Sequence, residues 1–197
     1  MALYKSSAHP PVCDSAFDVA FWLIDRALED GEYLQPQKMQ RLMYLAQAYW
    51  GVVSRGQRFI PGIFVVSPLG PVEPNSWRAM DGAKPPDMVV RPLDEQQRHF
   101  LGSVWRRFGA HSADHLLRLV SSHPPYLEAK RIGPRAEIAL EAMVRYYGRR
   151  TDEPDGDDRL AAPGLDTVLR PRVMRQQDGK PVNVRHWMPT KRLADDQ

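Results

Sequence analysis

Three histidines and two cations are the residues whose types and spacing could do chemistry here: His111, His115, His123, Lys38 and Arg41. His111 and His115 stand four apart, a step that puts two imidazoles on one helical face, as a metal site requires. No cysteine or suitably spaced carboxylate completes that set, and His111 falls just before the helix cap. Ser112, Asp114 and His115 have the residue types of a nucleophilic triad, but no Gly-x-Ser-x-Gly elbow presents the serine. No glycine-rich phosphate loop of a known type is present either. The residues form no catalytic constellation, so no enzyme activity, metal or cofactor is expected. Lys38 and Arg41 lie one turn apart on the polar side of a helix. A solvated face is the simpler reading of that pair, and a small cationic contact patch is the other.

The elements that must carry these side chains are mostly helices. Ser15 and Asp18 are spaced as a short capping box, opening a helix that Gly31 stops. Its buried side is expected to be Phe17, Ala20, Phe21, Ile24 and Leu28, broadened by Trp22 and Leu23. A second helix opens at Pro36 and ends near Arg55-Gly56. There Met39, Leu42, Met43, Ala46, Tyr49, Trp50 and Val53 recur at three- and four-residue steps as a core stripe. Gln37, Lys38, Gln40, Arg41, Gln47 and Ser54 fall opposite, where water can satisfy them. Residues 57–72 allow one short strand or hairpin at most, around the run IFVV, and a minor helix follows near Asn75 to Met80. Asp94 caps the next helix, with Phe100, Leu101, Val104, Trp105 and Phe108 inside and Gly109 at its end. Ser112 starts another, carrying Leu116, Leu117, Leu119 and Val120, which Pro124-Pro125 stops. A last helix is expected from Pro134, with Ile138, Leu140, Ala142, Met143, Tyr146 and Tyr147 inside. Trp50, Trp77 and Trp105 read as core. The sum is a mainly α fold: one compact domain of five to six helices, spanning residues 14–150, packed ridge into groove.

Four short motifs occur in order: Pro36-x-Lys38-x-x-x-Leu42-x-Tyr44-x-Ala46-Gln47, then Gly70-Pro71-Val72-x-Pro74, then His123 followed by Pro125 and Tyr126, all behind a Leu34-x-Pro36 opening. Together they resemble the Panacea, or SocA-like, domain of bacterial and phage proteins, over roughly residues 15–147. Gln35 stands where that family usually has threonine. FVVSPLGP lacks the acidic residue and tryptophan that usually precede the Gly-Pro turn. The resemblance implies a helical, non-enzymatic antitoxin that neutralises a cognate toxin, encoded by the adjacent gene, through direct complex formation. A variant is an adaptor that also delivers its partner to a protease. On this reading Lys38, Arg41, Tyr44, Gly70, Pro71, Val72 and Pro74 are candidate partner-binding positions. Gly70 and Pro71 are first of all a backbone device, glycine for a tight turn and proline to stiffen it.

Composition frames the rest. With 197 residues, 43% of them hydrophobic, and a net charge of +3, the chain can bury one good core and is only mildly basic. Cys13 is the one cysteine, which rules out an intrachain disulfide and suits a reducing cytoplasm. No apolar run approaches the roughly 18 residues that cross a bilayer, and residues 1–13, read as a loose polar arm, lack the apolar centre of a secretory signal. A cytoplasmic protein without membrane contact is expected. After Arg150 the composition changes. Asp152, Glu153, Asp155, Asp157 and Asp158 form an acidic run without a base, and residues 159–197 hold eight basic residues against four acidic ones. Such a segment, 151–197, is poor in apolar groups and is expected to stay flexible unless something holds it. Within it Arg185, His186 and Trp187 are the strongest partner-binding candidates, because aromatic and arginine anchors dominate interface energetics. The alternative function is a DNA-binding regulator that sets the basic tail against phosphates.

Overall fold

A computed structural model describes residues 9–80, 90–149 and 160–169. The fold is mainly α, with eight helices and one small sheet among the described residues. In chain order these are α1 (Ala16–Glu29), α2 (Pro36–Val53), β1 (Phe64–Ser67), β2 (Gly70–Val72), α3 (Pro74–Met80), α4 (Glu95–Phe108), α5 (Ala113–Ser122), α6 (Pro124–Ile132), β3 (Glu137–Ile138), α7 (Leu140–Tyr147) and α8 (Leu165–Leu169). None of these helices is long and apolar enough to cross a membrane. Helix α2 lies at the centre, against α1, α3, α4, α5, α7 and β2. Every residue from Lys38 to Gly51 is buried, on all sides of the helix. A helix that is covered all round needs internal partners for its polar side chains.

The local signals of the sequence are realised at several ends. Ser15 Oγ accepts from the Phe17 N–H at 3.1 Å, and the Asp18 carboxylate accepts from the Ser15 N–H at 2.9 Å. Asp94 and Gln97 form the same reciprocal box at the start of α4, with two bonds of 2.7 Å. Phe100, Leu101, Val104, Trp105 and Phe108 are buried as expected. In α1 the buried face is instead Ala16, Val19, Ala20, Leu23 and Ala27, while Leu28 is exposed. Trp77 is only half-buried, unlike Trp50 and Trp105. Of residues 1–13, Val12 and Cys13 are not loose: their N–H groups donate to Arg58 O and Phe59 O at 3.0 and 2.9 Å. Burial there pushes the Cys13 thiol up to about 12, so it stays protonated and inert.

The largest departures lie between residues 123 and 140. Pro124-Pro125 do not simply stop α5. His123 is at once the C-cap of α5 and the N-cap of α6, and the prolines occupy the first turn of α6, where a missing N–H costs nothing. The helix expected from Pro134 begins only at Leu140. Residues before it turn through Gly133 (φ 147) and Arg135 (φ 62) into β3. The reason is tertiary: β1 has a free edge, and β3 covers it. Val66 N–H donates to Ala136 O at 2.9 Å, Arg135 N–H to Val66 O at 3.1 Å, and Phe64 faces Ile138. With the β1–β2 hairpin this makes an antiparallel sheet of order β2-β1-β3.

Candidate functional site

The motif residues meet around α2, and their polar groups act as spokes from that helix to the surrounding loops. Gln40 is 1% exposed; its Nε2 donates to Ser76 Oγ at 2.9 Å and its Oε1 accepts from the Glu73 N–H at 2.8 Å. Glu73 caps α3, its carboxylate accepting from Ser76 N–H at 2.7 Å and from both nitrogens of Asn75 at 3.2 Å. Gln47 Oε1 accepts from two consecutive N–H groups, Phe59 and Ile60, at 3.0 and 2.9 Å. One amide oxygen therefore shapes the loop after α2. Lys38 Nζ reaches Glu32 at 3.2 Å and sits 5.8 Å from the centre of the Trp105 ring, whose Nε1 donates to Asp30.

Arg41 is the most exacting spoke. Its side chain is buried and donates from Nη1 to Ala113 O at 2.7 Å and from Nη2 to Leu69 O at 2.8 Å. Burial lowers its pKa, and the nearby Asp114 pulls it back up. The guanidinium thus ties α2 to the tip of the β1–β2 turn and to the first residue of α5. Gly70 makes that turn possible: its φ is 98, and a Cβ there would lie 2.8 Å from Leu117 Cδ1. Tyr126 Oη donates to Ser67 O at 2.8 Å from the other side. Tyr44 packs edge-on against Phe64 and Tyr147.

A second polar centre lies where α5 meets α6. His123, 1% exposed, has Nε2 2.7 Å from Leu160 O and Nδ1 2.8 Å from Tyr147 Oη. A carbonyl only accepts, so Nε2 carries the proton and Nδ1 accepts from the tyrosine. Burial holds the Tyr147 phenol well above its ordinary value, which keeps it the donor. Tyr49 Oη donates to Pro163 O at 2.8 Å. These two bonds seat residues 160–169 on the domain, with Ala162 and Val168 buried. Part of the tail expected to be flexible is therefore held in place.

The candidate residues of the sequence separate accordingly. Lys38, Arg41 and Tyr44 are not on a solvated or contact face but inside the domain. Gly70, Pro71 and Val72 are also buried, in β2, and only Pro74 of that motif is exposed. Arg185, His186 and Trp187 lie outside the described residues. Gln40 and Gln47 were placed on a solvated face, Gln47 also as a motif position, and are buried instead; Glu73 and Ser76 went unrecognised. Glu73 had a legible signal, an acidic residue directly before a proline that opens a helix. The glutamines had none, because their partners are remote in sequence. His111 and His115 stack at 4.4 Å, and among the described residues no group of three or more His, Cys, Asp or Glu could hold a metal ion. Comparison with family descriptions, curated proteins and solved structures finds no match to this chain.

Proposed function

We propose that this chain is an antitoxin-like binding protein that neutralises a cognate toxin by direct complex formation, with no enzymatic activity of its own. One observation carries the reading: the segments that contain the motifs resembling the Panacea domain, through motif residues and their neighbours, meet in a single framework. Arg41 of α2 bonds to Leu69 of the Gly-Pro turn, Tyr126 to Ser67 of the same turn, and Tyr44 packs edge-on against Tyr147, which holds His123. Three motifs far apart in sequence thus support each other in space, as parts of one inherited unit would.

In this reading the helical domain is a rigid platform and contacts are made by what it displays. The buried cations Lys38 and Arg41 hold the platform together. The tip of the β1–β2 turn, with Pro68 and Leu69 exposed, and the basic residues beyond Leu169 meet the toxin. Complementary charge speeds the encounter and selects the partner. Cytoplasmic action, and delivery of the bound toxin to a protease, belong to the same proposal.

The test is co-expression of the chain with the product of the neighbouring gene, scored by growth rescue and by co-purification. Rescue with a stable complex is the expected outcome, lost when residues 170–197 are deleted. A harmless neighbour that does not bind, together with salt-sensitive binding to DNA, would replace this reading with a regulator.

A further inference from the structure

Residues 160–169 contact the domain in the manner of a bound peptide. The domain supplies the side chains, His123 and Tyr49, and the segment supplies main-chain carbonyls three residues apart, Leu160 and Pro163. Its own side chains add small aliphatic groups: Ala162 and Val168 are buried, and Leu165 and Leu169 pack against the core. Its helical turn is closed from within, Gly164 O accepting from the N–H groups of Thr167 and Val168 at 3.0 and 3.2 Å. Helix α8 rests on α4, where Phe108 packs on Tyr49 with ring centres 5.8 Å apart. Main-chain recognition plus aliphatic pockets is how domains bind linear segments.

We propose that the slot formed by Tyr49, Phe108, His123 and Tyr147 is a peptide-binding groove, that Leu160–Leu169 is its tethered ligand, and that a partner segment of the same chemistry displaces it. That chemistry is a non-helical stretch with acceptor carbonyls at positions i and i+3, followed by a helical turn with an aliphatic side chain at i+8. The tether is residues 150–159, acidic and without aliphatic side chains. Tethering holds the segment at an effective concentration on the order of mM, so a free competitor at micromolar level fails against the intact chain. Release exposes His123 and Tyr49 to the competitor and frees the basic end of the chain, which gives the platform a switch. Its use in toxin capture rests on the function proposed above, whereas the groove is testable without any toxin.

In the full-length chain, residues 152–158 are replaced by the recognition sequence of a specific protease, and the purified protein is cut after folding. A fluorescent peptide of residues 160–169 is then titrated in. The cut chain is expected to take up the peptide with a rise in anisotropy, at least tenfold more tightly than the uncut chain, and a V168D peptide to lose at least tenfold in affinity. Three results would overturn the proposal: a cut segment that neither leaves nor exchanges, a domain that loses its helical circular dichroism on cutting, or a folded cut domain that ignores the peptide. The first two make the segment part of the core, and the third makes its position a product of the tether alone. Peptide exchange without toxin rescue removes the antitoxin reading only, and rescue without exchange removes only the groove.

Discussion

Helix α2 and the 160–169 segment are both held by hydrogen bonds from buried side chains, but the bonds run in opposite senses. From α2 the helix's own side chains reach outward to order five surrounding elements. At 160–169 the side chains of His123 and of Tyr49, itself an α2 residue, reach to a passive main chain. The first arrangement makes the helix indispensable, because cutting the Gln40 or Gln47 spoke strands a buried partner. The second makes the segment replaceable, because any chain with the same carbonyls and aliphatic groups satisfies the same donors. Stability is thus concentrated in α2, and adaptability in the segment that closes over it.

Breaking α2 should therefore have the largest effect. Gln47→Leu strands the buried N–H groups of Phe59 and Ile60, so a loss of about 3 kcal/mol is expected in urea unfolding, with the slope of the transition unchanged. An unfolding midpoint equal to that of the unaltered chain would remove the contrast between the two regions.

Gly70→Ala comes next. A methyl group at φ 98 is strained and meets Leu117, and about 2 kcal/mol of destabilisation is expected by the same measurement. Leu117→Ala in the same chain should relieve the clash but not the backbone strain, so recovery is partial.

For the replaceable region, Tyr49→Phe removes one bond to Pro163 O and keeps the ring packed on Phe108. Roughly 1 kcal/mol is expected, and it should be local. Amide hydrogen exchange is expected to speed up in residues 164–169 while α2 and α7 keep their protection. Uniform acceleration across α2 would mean that the two regions form one cooperative unit.

The smallest effect concerns pH. Burial, with His115, Arg107 and Lys38 nearby, holds His111 below the ordinary imidazole value of 6.5. A base whose folded pKa is lowered binds fewer protons than the unfolded chain, so stability falls as pH drops below about 6.5 and is unaffected above it. His111→Gln should flatten that acid-side slope in unfolding measurements. An unchanged slope would assign it to other groups.

How much of this was legible in the sequence differs from element to element. The capping pair Ser15–Asp18, the Asp94 cap and the apolar stripe of α4 are local patterns, and each was realised where it was expected; the part of Gln97 in the Asp94 box was not foreseen. The polar side of α2 was misread, because periodicity tells which residues are alike and not what covers them. Gln40 and Arg41 are buried because Ser76, Leu69 and Ala113 come from elsewhere in the chain to meet them. The candidate contact positions Lys38, Arg41, Tyr44, Gly70, Pro71 and Val72 were read as a surface, whereas in the fold they are buried framework. His123 was noticed as one of three histidines that could do chemistry and as a motif position, not as a structural link; its two ring bonds need Tyr147 and Leu160, 24 and 37 residues away.

The sequence by itself determined a mainly helical domain, most helix ends, the absence of an intrachain disulfide and the charge asymmetry of the tail. Those follow from spacing and composition, which act over a few residues. Tertiary structure alone decided that α2 is covered on every side, that Ile138 pairs with Phe64 instead of continuing a helix, and that Leu160–Leu169 returns to the domain. In each case a buried donor, acceptor or strand edge had to be satisfied, and only the folded chain brings the group that satisfies it within reach.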